Sequence, residues 1–306
     1  MADSSHAPVL PKETVDLLAP APGDVIVDCT AGRGGHAFLL AEHLDSTGTI
    51  VLLDMDAGNL EFAKNQLAAL PCSVHAVHGS FGLAHHSIAD LGLRANVVLA
   101  DLGFASNQMD DPQRGLGFRH DGPLDMRLDQ TKGRTAAELL ATCSEQELTE
   151  IIGSLGEEPL AARIARKVVQ ARESEPIERT GQLAQLVRNA YGRRAATSRM
   201  DPATRTFMGL RIAVNDELAA LEALLAAIAR GAEATKASSG WMHSGARVGI
   251  ISFHSLEDRP VKHAFSDLAR RKLATVDTRR PVTASEAEQR ANRRSRSAKL
   301  RVATLS

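Results

Sequence analysis

The chain has 306 residues, 43% hydrophobic and 24% charged, with a formal net charge of −1. That is an ordinary globular composition, long enough for one large domain or a core with a second domain inserted. No apolar run approaches the roughly 18–20 residues that span a bilayer, and the start MADSSHAPVLPKE lacks the basic-then-apolar layout of a secretory signal. The cysteines, Cys29, Cys72 and Cys143, are odd in number and lack metal-type spacing. Together these features favour a reduced, cytoplasmic setting. Aromatic residues are only 3%, so the core must be aliphatic.

In chain order, VIVDC (25–29) reads as a buried strand running into a Gly-rich turn, and 36–44 as a helix. TIVLLD (49–54) is a second strand, 59–70 a helix, SVHAVH (73–78) a third strand and ANVVLAD (95–101) a fourth. Apolar strands alternating with helices predict an α/β fold with a parallel sheet covered on both faces, a Rossmann-like core. The next strand pattern, ARVGIISF (246–253), comes more than 140 residues later, although a parallel crossover needs only about a dozen. The gap reads as helical. Ser144 and Glu147 make a capping box, and 160–173 is amphipathic. Asp201–Pro202 opens a helix in which Phe207, Leu210, Val214, Leu218, Leu221, Leu225 and Ile228 recur at spacings of three and four, with Gly231 as its stop. The expected division is a cofactor-binding core over 1–129, an inserted helical domain over 130–235, and the rest of the core over 236–306, ending in SAKLRVATL (297–305) as a returning edge strand.

Charge is unevenly spread. From Arg259 to Arg301 there are 13 Lys or Arg against 4 Asp or Glu. Composition leaves two readings open, a solvated tail or a segment that binds a polyanion.

DCTAGRGGH (28–36) carries Gly32, Gly34 and Gly35 between a strand and a helix, where backbone without Cβ lets a nucleotide-like ligand come close. Asp54 ends the second strand, placed to accept hydrogen bonds from ribose hydroxyls. Gly32, Gly34 and Ala37 also satisfy the dinucleotide pattern, so NAD and S-adenosylmethionine both remain open on these residues. Asp28, just before the turn, favours the donor with a cationic amino group.

Longer strings resemble one family. Pro8, Val9, Leu10 and Glu13, with His6 before them, look like the opening of the ribosomal RNA small subunit methyltransferase H family, also called MraW. DCTAGRGGH, DLGFASNQMD (101–110), GPLDMR (122–127), GEEPLAARIA (156–165), PATRTF (202–207), LRIAVNDEL (210–218), ISFHSLEDR (251–259) and NRRSRSAKLR (292–301) are similar to its strings, in order, over nearly the whole chain. Asp201 departs from the family's usual His, Met208–Gly209 from Gln–Ala, Ala105 from Ser and Arg293 from Pro. RGLGF (114–118) and Ser244–Gly245–Ala246 also differ.

The resemblance implies a class I methyltransferase core with a helical insertion. It implies transfer of methyl from S-adenosyl-L-methionine to N4 of a cytidine in the decoding region of 16S rRNA. The partner it implies is small-subunit RNA or the assembled subunit, with no membrane. By position, its cofactor contacts fall on Gly34, Gly35, His36, Asp54, Phe81, Asp101 and Gln108. An NAD-dependent oxidoreductase is the enzyme alternative, but no hydride-transfer partner is evident. A non-catalytic ribosome-assembly protein that binds RNA is the other.

Physically, Asp101 ends the fourth strand, at the sheet edge where ligands bind in open α/β folds, and is the candidate acceptor for the attacking amine. Phe81 follows the third strand, where a ring can stack on adenine. Gln108 can bond the cofactor or the base. His254, Ser255, Glu257 and Asp258 are neighbours on one loop, which does not suit a hydrolase triad, and no G-x-S-x-G elbow exists. His254 is instead a candidate catalytic residue in the wall of the base pocket. His75, His78, His85 and His86 lack metal-site spacing, so no metal is expected. Arg205 and Arg211 on the insertion, with Arg293, Arg294 and Arg296, are the candidate phosphate contacts. Cytosine-C5 transfer needs a Cys thiolate, and neither DLGFASNQMD nor SFHSLEDR contains one.

Overall fold

The computed structural model describes residues 7–198, 200–235 and 239–306, so His6 of the opening string lies outside the described residues. By internal contacts these residues form two units. One holds the residues up to Gly103 and those from Leu218 on, and the other runs from Phe104 to Glu217.

The first unit is built on a sheet of β1 (Val25–Asp28), β2 (Thr49–Asp54), β3 (Ser73–His78), β4 (Ala95–Asp101), β5 (Met242–Ser252), β6 (Ala274–Val276), β7 (Val282–Thr283) and β8 (Lys299–Leu305). Its order is β3-β2-β1-β4-β5-β8-β6, with β7 also paired to β8. The five strands from β3 to β5 are parallel, and β8 runs antiparallel to β5. The expected α/β Rossmann-like core is present. The central strands are apolar without alternation because both faces are covered. Ile26, Ile50, Leu52, Val97, Leu99 and Val302 point into one apolar layer, and Val27, Val51, Leu53, Val98, Ala100 and Val248 into the other. The first layer is closed by α1 (Pro11–Leu18), α2 (Gly35–Ala41) and α3 (Ala57–Leu67). The second is closed by α4 (Ala84–Asp90), a long helix at 217–235 and a helix at 255–270.

β1 has β2 on one side and β4 on the other, so the chain winds outward from β1 and then returns past it. That reversal is a topological switch point, where strand carboxyl ends open a crevice for ligands.

The second unit contains α5 (Ser106–Asp110), α6 (Ala136–Thr142), α7 (Glu145–Glu150), α8 (Ala161–Arg172), α9 (Thr180–Tyr191) and α10 (Ala203–Asn215). The capping box at Ser144 is present, with Glu147 N–H donating to Ser144 Oγ at 3.2 Å and Ser144 N–H to Glu147 Oε2 at 2.7 Å. This unit begins earlier and ends earlier than the sequence pattern of 130–235. Leu116, Leu124 and Met126 are buried with the helical residues Leu139, Ile164 and Leu183, which draws 104–129 into it.

The other boundary moves because the predicted long helix is two helices, α10 and α11 (Glu217–Thr235). Asp216 between them is left-handed, with φ 51°. Asn215 holds the break: its side chain donates to Met126 O at 2.8 Å and accepts Leu128 N–H at 2.7 Å. The apolar spacing continues across Asp216, but Leu221, Leu224 and Ile228 of α11 belong to the sheet core. Gly231 is not a stop. It lies inside α11, where a Cβ would come within 2.5 Å of Met242 Cε, so glycine there permits close packing.

After β5 come α12 (Ser255–Arg270), β6, β7, α13 (Glu286–Ala291), a 3₁₀ turn at Arg293–Ser297 and β8. The basic segment is therefore folded rather than a tail. β8 is not an edge strand either. β6 and β7 flank it, and at three and two residues they are too short to leave a periodic signal.

Candidate functional site

The loop after β1 is shaped by two left-handed glycines, Gly32 (φ 50°) and Gly34 (φ 84°), a conformation that costs residues with a Cβ about 1–2 kcal/mol. Asp54 ties this loop to the end of β2. Its Oδ2 accepts Gly32 N–H at 2.7 Å and its Oδ1 accepts Asp56 N–H at 2.8 Å. These bonds orient the Asp54 carboxylate at the open end of β2. At Gly34 the absent side chain also serves packing, because a Cβ there would meet Ala63 Cβ of α3 at 3.1 Å. At Gly35 a Cβ would meet Pro8 at 3.3 Å.

Three acids end adjacent strands: Asp28 on β1, Asp54 on β2 and Asp101 on β4. Asp28 is buried, accepts Thr30 N–H at 3.1 Å, and has its pKa pushed up to about 7 by burial and by the charge of Asp54. Asp101 N–H donates to Thr30 Oγ at 2.6 Å, which fixes the end of β4 beside β1. Burial, followed by the charges of Asp28 and Glu257, raises the Asp101 carboxyl well above its usual range. His36, on the first turn of α2, is 6% exposed, and burial pushes its pKa down to about 4, so the ring is neutral. His36 Nε2 stands 3.6 Å from Asp101 Oδ2.

The fold thus brings Gly34, Gly35, His36, Asp54 and Asp101 to the carboxyl ends of β1, β2 and β4. Phe81 begins a 3₁₀ turn just after β3, one strand further out, half-buried against the core. Gln108 lies in the other unit, on α5, buried, with Oε1 accepting Ala105 N–H at 2.8 Å. His254 precedes α12 just after β5, its Nε2 3.1 Å from Glu257 Oε1 but without hydrogen-bond alignment. Glu257 Oε2 accepts Phe253 N–H at 2.8 Å, so this acid shapes the loop.

The arginines divide. Arg205 is exposed, as are Arg293, Arg294 and Arg296 around the buried Ser295. Arg211 is held inside its unit, bidentate to Glu217 at 2.7 and 2.8 Å and stacked over Phe104, so it does not offer the charge to phosphates that the sequence suggests. Thr30 escaped the sequence reading, since only the fold sets its hydroxyl beneath Asp101.

These residues, on this sheet, define a Rossmann-like methyltransferase whose acid cluster fits a cationic nucleoside donor, S-adenosyl-L-methionine. The chain belongs to the MraW methylase family, which matches residues 3–306. It is 41% identical to the ribosomal RNA small subunit methyltransferase H of Trichlorobacter lovleyi, covering 99% of both chains. It is 43% identical to the protein of that name from Solidesulfovibrio magneticus, covering 97% of this chain and 94% of that one. The Symbiobacterium thermophilum relative, of the same name, is 41% identical over 97% of this chain and 95% of its own. No helix among the described residues is long and apolar enough to cross a membrane.

Proposed function

We propose that this enzyme methylates N4 of a cytidine in the decoding region of 16S rRNA, acting in the cytoplasm on small-subunit RNA or the assembled subunit. The carrying observation is a carboxylate, Asp101, at the open end of β4 beside the donor loop, with no exposed thiol to attack a ring. All three cysteines are buried, and burial raises the Cys29 thiol further. Transfer to C5 requires a thiolate that attacks the ring, whereas an exocyclic amine needs only alignment and an acceptor for its N–H. When bound, S-adenosyl-L-methionine supplies an electrophilic methyl on a cationic sulfur. Asp54 would accept the ribose hydroxyls, Phe81 would lie against the adenine, and the backbone of the loop at Gly34, Gly35 and His36 would line the donor; Gln108, on the other unit, is a separate candidate contact. His254 lines the base pocket. The name of the relatives, ribosomal RNA small subunit methyltransferase H, supports the choice of small-subunit ribosomal RNA.

The test is incubation with labelled donor and either free small-subunit RNA or assembled subunits, then digestion and nucleoside mass spectrometry. N4-methylcytidine is the expected product. Recovery of 5-methylcytidine, or of no labelled nucleoside, overturns the reading.

Arg205, Arg293, Arg294 and Arg296 are proposed to neutralise phosphates. RNA affinity should then fall by roughly 0.7–0.9 log units per log unit of salt for each phosphate contacted. Replacing Arg293, Arg294 and Arg296 together by Ala should flatten that slope by up to about 2–3 and leave donor binding unchanged. A slope equal to the parent's would remove the 3₁₀ turn from the RNA surface.

A further inference from the structure

Among the described residues, nothing satisfies the ring of His36: it is 6% exposed, and neither Nδ1 nor Nε2 has a hydrogen-bond partner there. A buried imidazole left in that state is destabilising unless something answers it. Asp101 Oδ2 stands 3.6 Å from Nε2, and Asp101 Oδ1 is buried without a partner among the described residues. Two unsatisfied groups therefore face each other across the mouth of the switch point, one on the first turn of α2 and the other at the end of β4.

The backbone around them is fixed. Thr30 holds the Asp101 N–H, and Asp54 holds Gly32 in the loop that leads to His36. Three titratable groups bear on Asp101: Asp28 from β1, Glu257 from α12 and His36 from α2. Asp28 and Glu257 repel a charge on it, so the imidazole is the one of the three able to favour the carboxylate. Burial keeps the ring neutral with a single proton, and Nε2 is the nitrogen that faces an acceptor.

We propose that His36 is a positioning residue for methyl transfer, donating Nε2–H to Asp101 Oδ2 so that this oxygen keeps one fixed lone pair for the substrate amine. The inference rests on Asp101 being the proton acceptor. The amine nitrogen gives its lone pair to the methyl carbon, and the carbon–sulfur bonding pair stays on sulfur. The N–H bonding pair then returns to nitrogen as the proton passes to Asp101. Side-chain contact between His36 and the donor has no part in this role, which separates it from a cofactor-binding one.

The experiment compares the parent with His36→Phe and His36→Asn. The Asp101 carboxyl is titrated by carbon NMR in the donor-bound protein, where the 3.6 Å separation from His36 closes to a hydrogen bond, and kcat is measured against pH at saturating donor. Loss of a donor to a carboxylate, at about 1.5–3 kcal/mol, should move the Asp101 midpoint and the acidic limb of kcat up by about 1–2 pH units in His36→Phe. Its kcat should fall by up to about 10²-fold, the cost of a misplaced reacting group. His36→Asn keeps an N–H and should recover part of both effects, while donor affinity by calorimetry stays within about twofold of the parent's. An Asp101 midpoint unmoved in a folded His36→Phe overturns the proposal. So does a weakened donor Kd with an unmoved limb, which would make His36 a donor contact. An Asp101→Asn variant that turns over at the parent rate would instead overturn the acceptor reading, whatever the NMR midpoint does.

Discussion

Asp101→Asn, a change of nearly constant volume, is expected to lower kcat by about 10²–10⁴-fold, the range associated with a positioned general base. Asparagine can accept a hydrogen bond from the amine but cannot take its proton. The fold around it should survive, because the Asp101 contact that anchors β4 is a backbone one, its N–H to Thr30 Oγ at 2.6 Å. Melting temperature should therefore hold or rise, since the charges of Asp28 and Glu257 no longer oppose a third carboxylate. Single-turnover rates with prebound donor, beside a thermal melt and a donor isotherm, separate the chemistry from folding and binding. A folded variant with donor bound and the parent's rate would leave alignment alone as the source of catalysis. The same assay on a chain with Cys29, Cys72 and Cys143 changed to Ser should retain methyl transfer, because no covalent step is asked of them.

The strands were legible because each is a short apolar run stopped by Asp or Gly: TIVLLD, SVHAVH and ANVVLAD end as the structure ends them, and VIVDC runs one residue past the end of β1 at Asp28. Boundaries that depend on one residue's backbone were not. Nothing in the spacing from Phe207 to Ile228 announces that Asp216 turns left-handed, because the apolar period carries across the break. The strands β6 and β7 are too short for any period to show. Arg211 looked like a free cation because its partner, Glu217, lies six residues on, outside the three- and four-residue spacings that reveal helical ion pairs. At the candidate site, strand-end acids and loop glycines could be read from the sequence as residue types. What they touch could not. That Gly34 is set against Ala63, and that Thr30 sits under Asp101, follow from how α3 and β4 lie beside β1.

The acid cluster should also leave a mark on stability. The folded protein holds the Asp28 proton more tightly than the unfolded chain does, with a midpoint raised from 3.8 to about 7. Its stabilising contribution is thus complete below the unfolded value and is lost as pH rises towards about 7. At about 1.4 kcal/mol per tenfold change in proton affinity, the loss by pH 8 has a ceiling of about 4 kcal/mol. The neighbouring Asp101 shares in that protonation, so the macroscopic loss belongs to the pair. Asp28→Asn removes the charge at nearly constant shape. At pH 8 the unliganded variant should melt several degrees above the parent, taking about 2–4 °C per kcal/mol for a unit of this size. At pH 5 the gap should shrink to less than half, because only part of the interval from 3.8 to about 7 has been crossed. Saturating donor should reverse the order at pH 8, because a cation beside Asp28 makes its charge an asset, and the variant should bind donor more weakly by about 1–3 kcal/mol. Melts at pH 5 and 8, with and without donor, decide it. Equal pH slopes for parent and variant would show that Asp28 is ionised without cost, and that the charge of the donor is met elsewhere.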